Sequence, residues 1–212
     1  MSLHSIGRRG PVKAKAVYAA IAALALTTGI AQGADKSAAL DLIRRECSTC
    51  HGARGVSVSP MFPNLAGQQP GYLEAQLKAF RDRSRADPHA QAFMWGMAAQ
   101  LTDSVISDIA AFFASQPPAP GTAAEAAEIA AGRKIFEEGI ATQHVPACQS
   151  CHGLKAVGAG PFPRLAGQHR SYLERQLEAF AANLRANEIM HENSKNLTAL
   201  QISQVAAFLS SQ

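Results

Sequence analysis

Cys47-Ser-Thr-Cys50-His51 and Cys148-Gln-Ser-Cys151-His152 decide how this chain folds and what it holds. Each is a C-x-x-C-H pentad, and the two together use all four cysteines of the 212 residues. Exported proteins with four cysteines usually hold two disulfides. A disulfide, however, needs no histidine directly after its second cysteine. Covalent haem attachment does: two thiols add to the two vinyl groups, and the adjacent imidazole ligates the iron. Zinc ribbons also pair C-x-x-C motifs, but these pairs lie 101 residues apart and fall in separate repeats. The expectation is two covalently bound haem c groups, on Cys47 and Cys50 and on Cys148 and Cys151. His51 and His152 are their expected fifth ligands.

Outward from the pentads the chain repeats itself. Phe62-Pro63-Asn64-Leu65-Ala66-Gly67-Gln68 returns as Phe162-Pro163-Arg164-Leu165-Ala166-Gly167-Gln168. Tyr72-Leu73-Glu74, Gln76-Leu77 and Ala79-Phe80 return one hundred residues later, and Leu101-Thr102 with Ala110-Ala111-Phe112 returns as Leu197-Thr198 with Ala206-Ala207-Phe208. Between the copies stands Gln116-Pro-Pro-Ala-Pro-Gly121, which reads as an extended linker. The expected division is 1–33 leader, 34–116 first domain, 117–122 linker and 123–212 second domain.

Each half reads as all-α. Tyr72, Leu73, Gln76, Leu77 and Phe80 share one helical face, and Thr102 and Thr198 each open a later helix. Thr198 with Gln201 has the capping-box spacing. Helices are also expected over Ala38–Cys47 and Ala124–Glu138. No stretch alternates with period two for long enough to suggest a sheet. Domains this small rarely bury enough apolar surface alone, and an enclosed haem supplies the missing core.

The charge balance is misleading at first sight. The formal net charge is +4, yet Arg8, Arg9, Lys13 and Lys15 fall in the first 33 residues, which hold no acid. The remainder carries 16 basic and 16 acidic residues, eight of each in either half. Nucleic-acid binding thereby loses its electrostatic support. The basic stretch precedes an apolar run over Ala16–Ala31 and small residues at Ala31, Gly33 and Ala34, the layout of a cleaved export signal. A retained anchor is the alternative, though the run is broken by Thr27, Thr28, Gly29 and Gln32. The expected location is the periplasm.

The twin pentads, the F-P-x-L-A-G-Q segments, the Y-L-x-x-Q-L helices and the closing Leu-Thr helices resemble the cytochrome c4 family from about Ala38 to Gln212. The resemblance implies two tandem class I cytochrome c domains, each wrapped around its haem. It implies that the Pro63 and Pro163 carbonyls accept from the proximal histidines, and that Leu65 and Leu165 pack on the haems. From turn signals alone these four residues read simply as a loop.

A sixth ligand must come from elsewhere, and a thioether favours ferrous iron. The second half offers one methionine, Met190, with His191 beside it as the alternative by spacing. The first half offers Met94 and Met97. Met190 precedes Leu197 by seven positions and Met94 precedes Leu101 by seven, whereas Met97 aligns with Asn193. The repeat and the resemblance therefore both favour Met94, with Met97 as packing. Against this, 14 residues separate Phe80 from Met94 but only 10 separate Phe180 from Met190, so a different loop path would present Met97. His89, His144 and His169 lack matching histidines in the repeat and read as solvated; Arg54, Lys155 and Arg164 are candidates to face haem propionates, with plain solvation as the default reading. Met61 and Trp95 read as packing.

Two iron sites with both axial positions filled favour electron transfer over catalysis. The resemblance implies a carrier and no enzyme, shuttling single electrons between respiratory-chain proteins such as a terminal oxidase or a quinol:cytochrome c reductase. The alternative is a cytochrome subunit of a dehydrogenase, or a dihaem enzyme of peroxidase or thiosulfate-oxidising type. A monomer is expected, with peripheral membrane association left open.

Overall fold

The computed structural model describes Met1 and residues 36–212. The export signal read over 1–33 lies outside the described residues, Met1 apart. No helix among them is long and apolar enough to cross a membrane.

In the N-terminal half, α1 (residues 36–51) runs straight through the first pentad, winding as a π-helix over Ile43–Cys47. It extends beyond the expected Cys47 because the pentad itself takes a helical turn. Gly52 ends it at φ 78°, where an added Cβ would stand 2.1 Å from the Val56 carbonyl oxygen. Only glycine closes that turn. Helix α2 (Pro70–Arg81) begins with proline at a position whose N–H would have no helical partner. Helix α3 (residues 88–98) is π-wound over Ala90–Met94, and Asp87 caps it by accepting from the Ala90 N–H at 3.3 Å. Helix α4 (Asp103–Ala114) opens where Thr102 accepts from the Val105 N–H.

The C-terminal half repeats the plan with α5 (Ala126–Glu138), α6 (Gln149–His152), α7 (Arg170–Ala181), α8 (Glu188–Ser194) and α9 (Ala199–Ser210). Here the first helix stops at Gly139, and a 3₁₀ turn over Ala141–Gln143 intervenes before the second pentad. The capping box at Thr198 and Gln201 forms as its spacing predicts. Two isolated bridges, Ile140 with Val145 and Ala159 with Phe162, are the extended pairings among the described residues.

Each half closes around its first and last helices. In the first, Ala39 and Ile43 meet Leu73, Val105, Ile109 and Phe113. In the second, Ile135 and Phe136 meet Leu173, Val205, Phe208 and Leu209. Phe113 and Phe136, at 1% and 0% exposure, each contribute roughly 1.5–3 kcal/mol from burial. The Pro-rich segment is no free tether. Ala119 is buried, Thr122 donates its N–H to the Ser210 carbonyl, and Pro118 lies where a Cβ on Gly67 would strike it.

Candidate haem sites and the seam between them

Each pentad ends in a short helical turn that turns its histidine inward. His51 and His152 are both 7% exposed. The His51 Nδ1–H donates to the Pro63 carbonyl at 2.9 Å, and the His152 Nδ1–H donates to the Pro163 carbonyl at 3.1 Å. That bond fixes the tautomer and leaves Nε2 as a lone-pair donor for a metal. Burial pushes both imidazoles below the ordinary histidine range, opposed only by the proline carbonyl, so both stay neutral as a ligand must. Cys47, Cys50, Cys148 and Cys151 are unpaired, half-buried thiols. Burial pushes Cys47 and Cys148 up to about 11. Two free thiols beside a neutral, oriented imidazole fit a covalently attached haem, and they do so twice.

Leu65 and Leu165 are half-buried at the edges of the two cores. Phe62 stands edge-on to His51 at 6.1 Å between ring centroids, and Phe162 to His152 at 6.4 Å. Met94 is half-buried against Phe80, Ala90 and Ala98, and Met190 is half-buried in the first turn of α8. His191 beside it likewise donates Nδ1–H to a carbonyl, that of Phe180, at 2.9 Å.

Helices α3 and α8 end alike: the Leu101 N–H reaches the Ala98 carbonyl and the Leu197 N–H reaches the Ser194 carbonyl, each at 3.0 Å. Counted back from those ends, Met94 and Met190 hold the same place. Counted forward from the caps at Asp87 and Asn187, the counterpart of Met190 is Ala90. The four extra residues of the first half therefore lie inside α3 as one additional, π-wound turn, and the connecting loop is not longer. Met97 is 42% exposed, so packing does not describe it. Met61, at 48%, departs from packing in the same way, whereas Trp95 packs against the Phe80 group and donates its indole N–H to the Arg85 carbonyl.

What sequence reasoning missed is a polar seam joining the halves. Gln168 accepts from the Asn64 N–H at 2.8 Å and donates to the Asn64 carbonyl at 2.9 Å. Gln68 does the same to Arg164, at 2.6 and 2.9 Å. Arg164 is accordingly half-buried, with Nε on the Ala166 carbonyl, and not the solvated charge expected. His169 also corrects the reading: its Nε2 reaches the Ser57 carbonyl at 3.0 Å, mirroring Gln69, whose amide reaches the Val157 carbonyl at 3.0 Å. His89 and His144 are exposed, as expected.

Deeper in the seam, Arg85 donates to Gln76 and Gln176, each at 2.8 Å, while Arg185 donates to the same two glutamines at 2.7 and 2.6 Å and to the Tyr72 hydroxyl at 2.9 Å. Asp87 pairs with Arg85 at 2.9 Å. Burial would push the Tyr72 phenol up, but Arg185 and Arg85 hold it below its ordinary value. The signal was present: these glutamines recur in both repeats on the otherwise apolar helix face of Leu73 and Phe80, where a polar side chain needs a partner.

The cytochrome c family model matches residues 38–117 and again 129–212. A cytochrome c4 of Thiocapsa roseopersicina is 39% identical, over 77% of this chain and 85% of that protein. The solved cytochrome c4 structure of Acidithiobacillus ferrooxidans superposes with a TM-score of 0.75 at 43% identity, covering 78% of this chain and 98% of that one. The chain belongs to the cytochrome c4 family. Like them it is a dihaem electron-transfer cytochrome of two tandem helical domains, and the pairs Cys47/Cys50 and Cys148/Cys151 fit the cytochrome c4 complement of two covalently bound haem c groups. A further relative, from Thiomonas intermedia, is named a thiosulfate dehydrogenase electron acceptor; it is 34% identical over 78% of each chain.

Proposed function

We propose that this protein is a periplasmic carrier that passes single electrons between respiratory-chain partners and performs no catalysis of its own. His51 and Met94 would hold the first iron, and His152 and Met190 the second. Pro63 and Pro163 would orient the imidazoles, and Leu65 and Leu165 would flank the haems. Bound haem c supplies one-electron chemistry, its iron cycling between ferric and ferrous. The chain's own residues keep the imidazoles neutral and fixed and keep the two sites in one rigid pair.

The observation that carries the reading is the equivalence of the halves. An enzyme needs one haem with an open or displaceable position, and hence unlike sites. Here each half offers the same histidine, the same carbonyl partner and a methionine at the same distance from its helix end. Carbon monoxide and cyanide added to the holoprotein should bind slowly or not at all at both haems. Rapid binding at one haem would move the assignment to a dihaem enzyme.

A second reading is favoured by the Thiomonas relative: the donor is a thiosulfate dehydrogenase, with this chain as its acceptor. Rapid-mixing reduction by such an enzyme with thiosulfate, against reduction by a quinol:cytochrome c reductase, separates the two donors. The N-terminal sequence of the exported protein should begin just after residues 31–34.

A further inference from the structure

The peptide unit between Pro63 and Asn64 is held at both ends. Its carbonyl accepts the His51 Nδ1–H at 2.9 Å, and its N–H donates to the Gln168 side-chain oxygen at 2.8 Å. The unit between Pro163 and Arg164 is held in the same way, by His152 at 3.1 Å and by Gln68 at 2.6 Å. In each case the histidine belongs to one half and the glutamine to the other.

Amide resonance links the two ends of such a unit. When its N–H donates, more negative charge collects on its carbonyl oxygen, and the bond accepted there strengthens by roughly 10–30%. A stronger acceptor draws the Nδ1 proton further and makes the imidazole more basic, which favours ferric iron and lowers the potential. Both glutamines are 7% exposed, so water does not compete for these bonds. Gln168 is held rigid because its amide nitrogen binds the Asn64 carbonyl while its oxygen also accepts the His169 N–H at 3.0 Å. Gln68 is fixed alike, by the Arg164 carbonyl and the Gln69 N–H.

We infer that Gln68 and Gln168 are crossed positioning residues: Gln168 tunes the proximal histidine of the N-terminal haem, and Gln68 that of the C-terminal haem. This rests on His51 and His152 as the proximal ligands. Each potential is then set partly by the other domain, so a movement at the seam is felt at both irons.

The test is a redox titration of the full-length holoprotein, with each haem assigned by its spectrum. Gln168→Leu should raise the potential of the N-terminal haem, changing its reduced-to-oxidised ratio about threefold at fixed poise, roughly 28 mV at 59 mV per decade. The C-terminal haem should stay where it was. Gln68→Leu should give the mirror image, and the Nδ1 proton resonance of the affected histidine should move with the potential. Gln168→Met, closer in shape, reads the same quantity if the leucine variant does not accumulate. Gln69→Leu removes a seam bond that touches neither proline unit and should shift neither haem. A shift confined to the mutated domain's own haem, equal shifts of both, or none at all would overturn the crossed assignment. Loss of imidazole ligation in the unmodified protein would instead appear in its optical spectrum and would strike the ligand assignment itself.

Discussion

A methionine three residues too late would hold iron in a differently built pocket, so the choice between Met94 and Met97 has measurable consequences. Met94→Ala should abolish the near-infrared band of sulfur-ligated ferric haem at one centre and lower that centre's potential. Met97→Ala should leave both unchanged; the opposite result would mean that the match of helix ends does not carry over to the ligand. The residues that carry attachment chemistry were legible because their signal is local: thiol, two residues, thiol, imidazole. His169 was not legible, because its counterpart in the repeat is Gln69, a different letter with the same reach. Both present an N–H to a carbonyl of the other half, and a comparison by residue type passes over that likeness.

Helices were readable wherever a cap or an apolar stripe marks them. Thr102 and Thr198 begin α4 and α9, and the stripe from Leu73 to Phe80 faces inward in α2. The extra turn of α3 was not readable, since a π-wound insertion leaves the composition unchanged and shifts only the register. Helix crossings also escape a one-dimensional pattern. Gly132 lies mid-helix in α5, where alanine would raise helix propensity by about 1 kcal/mol. Its Cβ, however, would stand 1.9 Å from the Gln204 carbonyl oxygen of α9. Backbone cannot yield as a side-chain tip does, and overpacking of this kind costs roughly 1–3 kcal/mol. Gly132→Ala should therefore lower the urea midpoint despite the better helix former. A raised midpoint would show that α5 and α9 can slide apart without penalty.

The whole molecule presents two neutral halves with exposed apolar residues, including Val58, Met61 and Phe93 in the first and Leu154, Phe162 and Ile189 in the second. Long-range steering is weak under such a balance. Electron-transfer rates with a redox partner should fall only modestly between low and moderate ionic strength; a steep fall would reveal a clustered charge. The domain count was legible from the repeat, but the seam was not, because every motif was first read as serving its own half. Gln68 on Arg164 and Gln168 on Asn64, with Arg85 and Arg185 on the opposite glutamines, show one surface meeting its own copy. A surface of that kind is self-complementary, as in a twofold homodimer. The bonds cannot tell whether the half they meet lies on the same polypeptide, so the packed linker decides it. Pro118 against Gly67 and the buried Ala119 keep the joint folded back. Replacing Pro117 and Pro118 with glycine should let concentrated protein exchange halves between chains, giving a dimer in sedimentation with unaltered haem spectra. If that exchange occurs, the connection over 117–122, and not the seam, sets how many chains share one pair of halves.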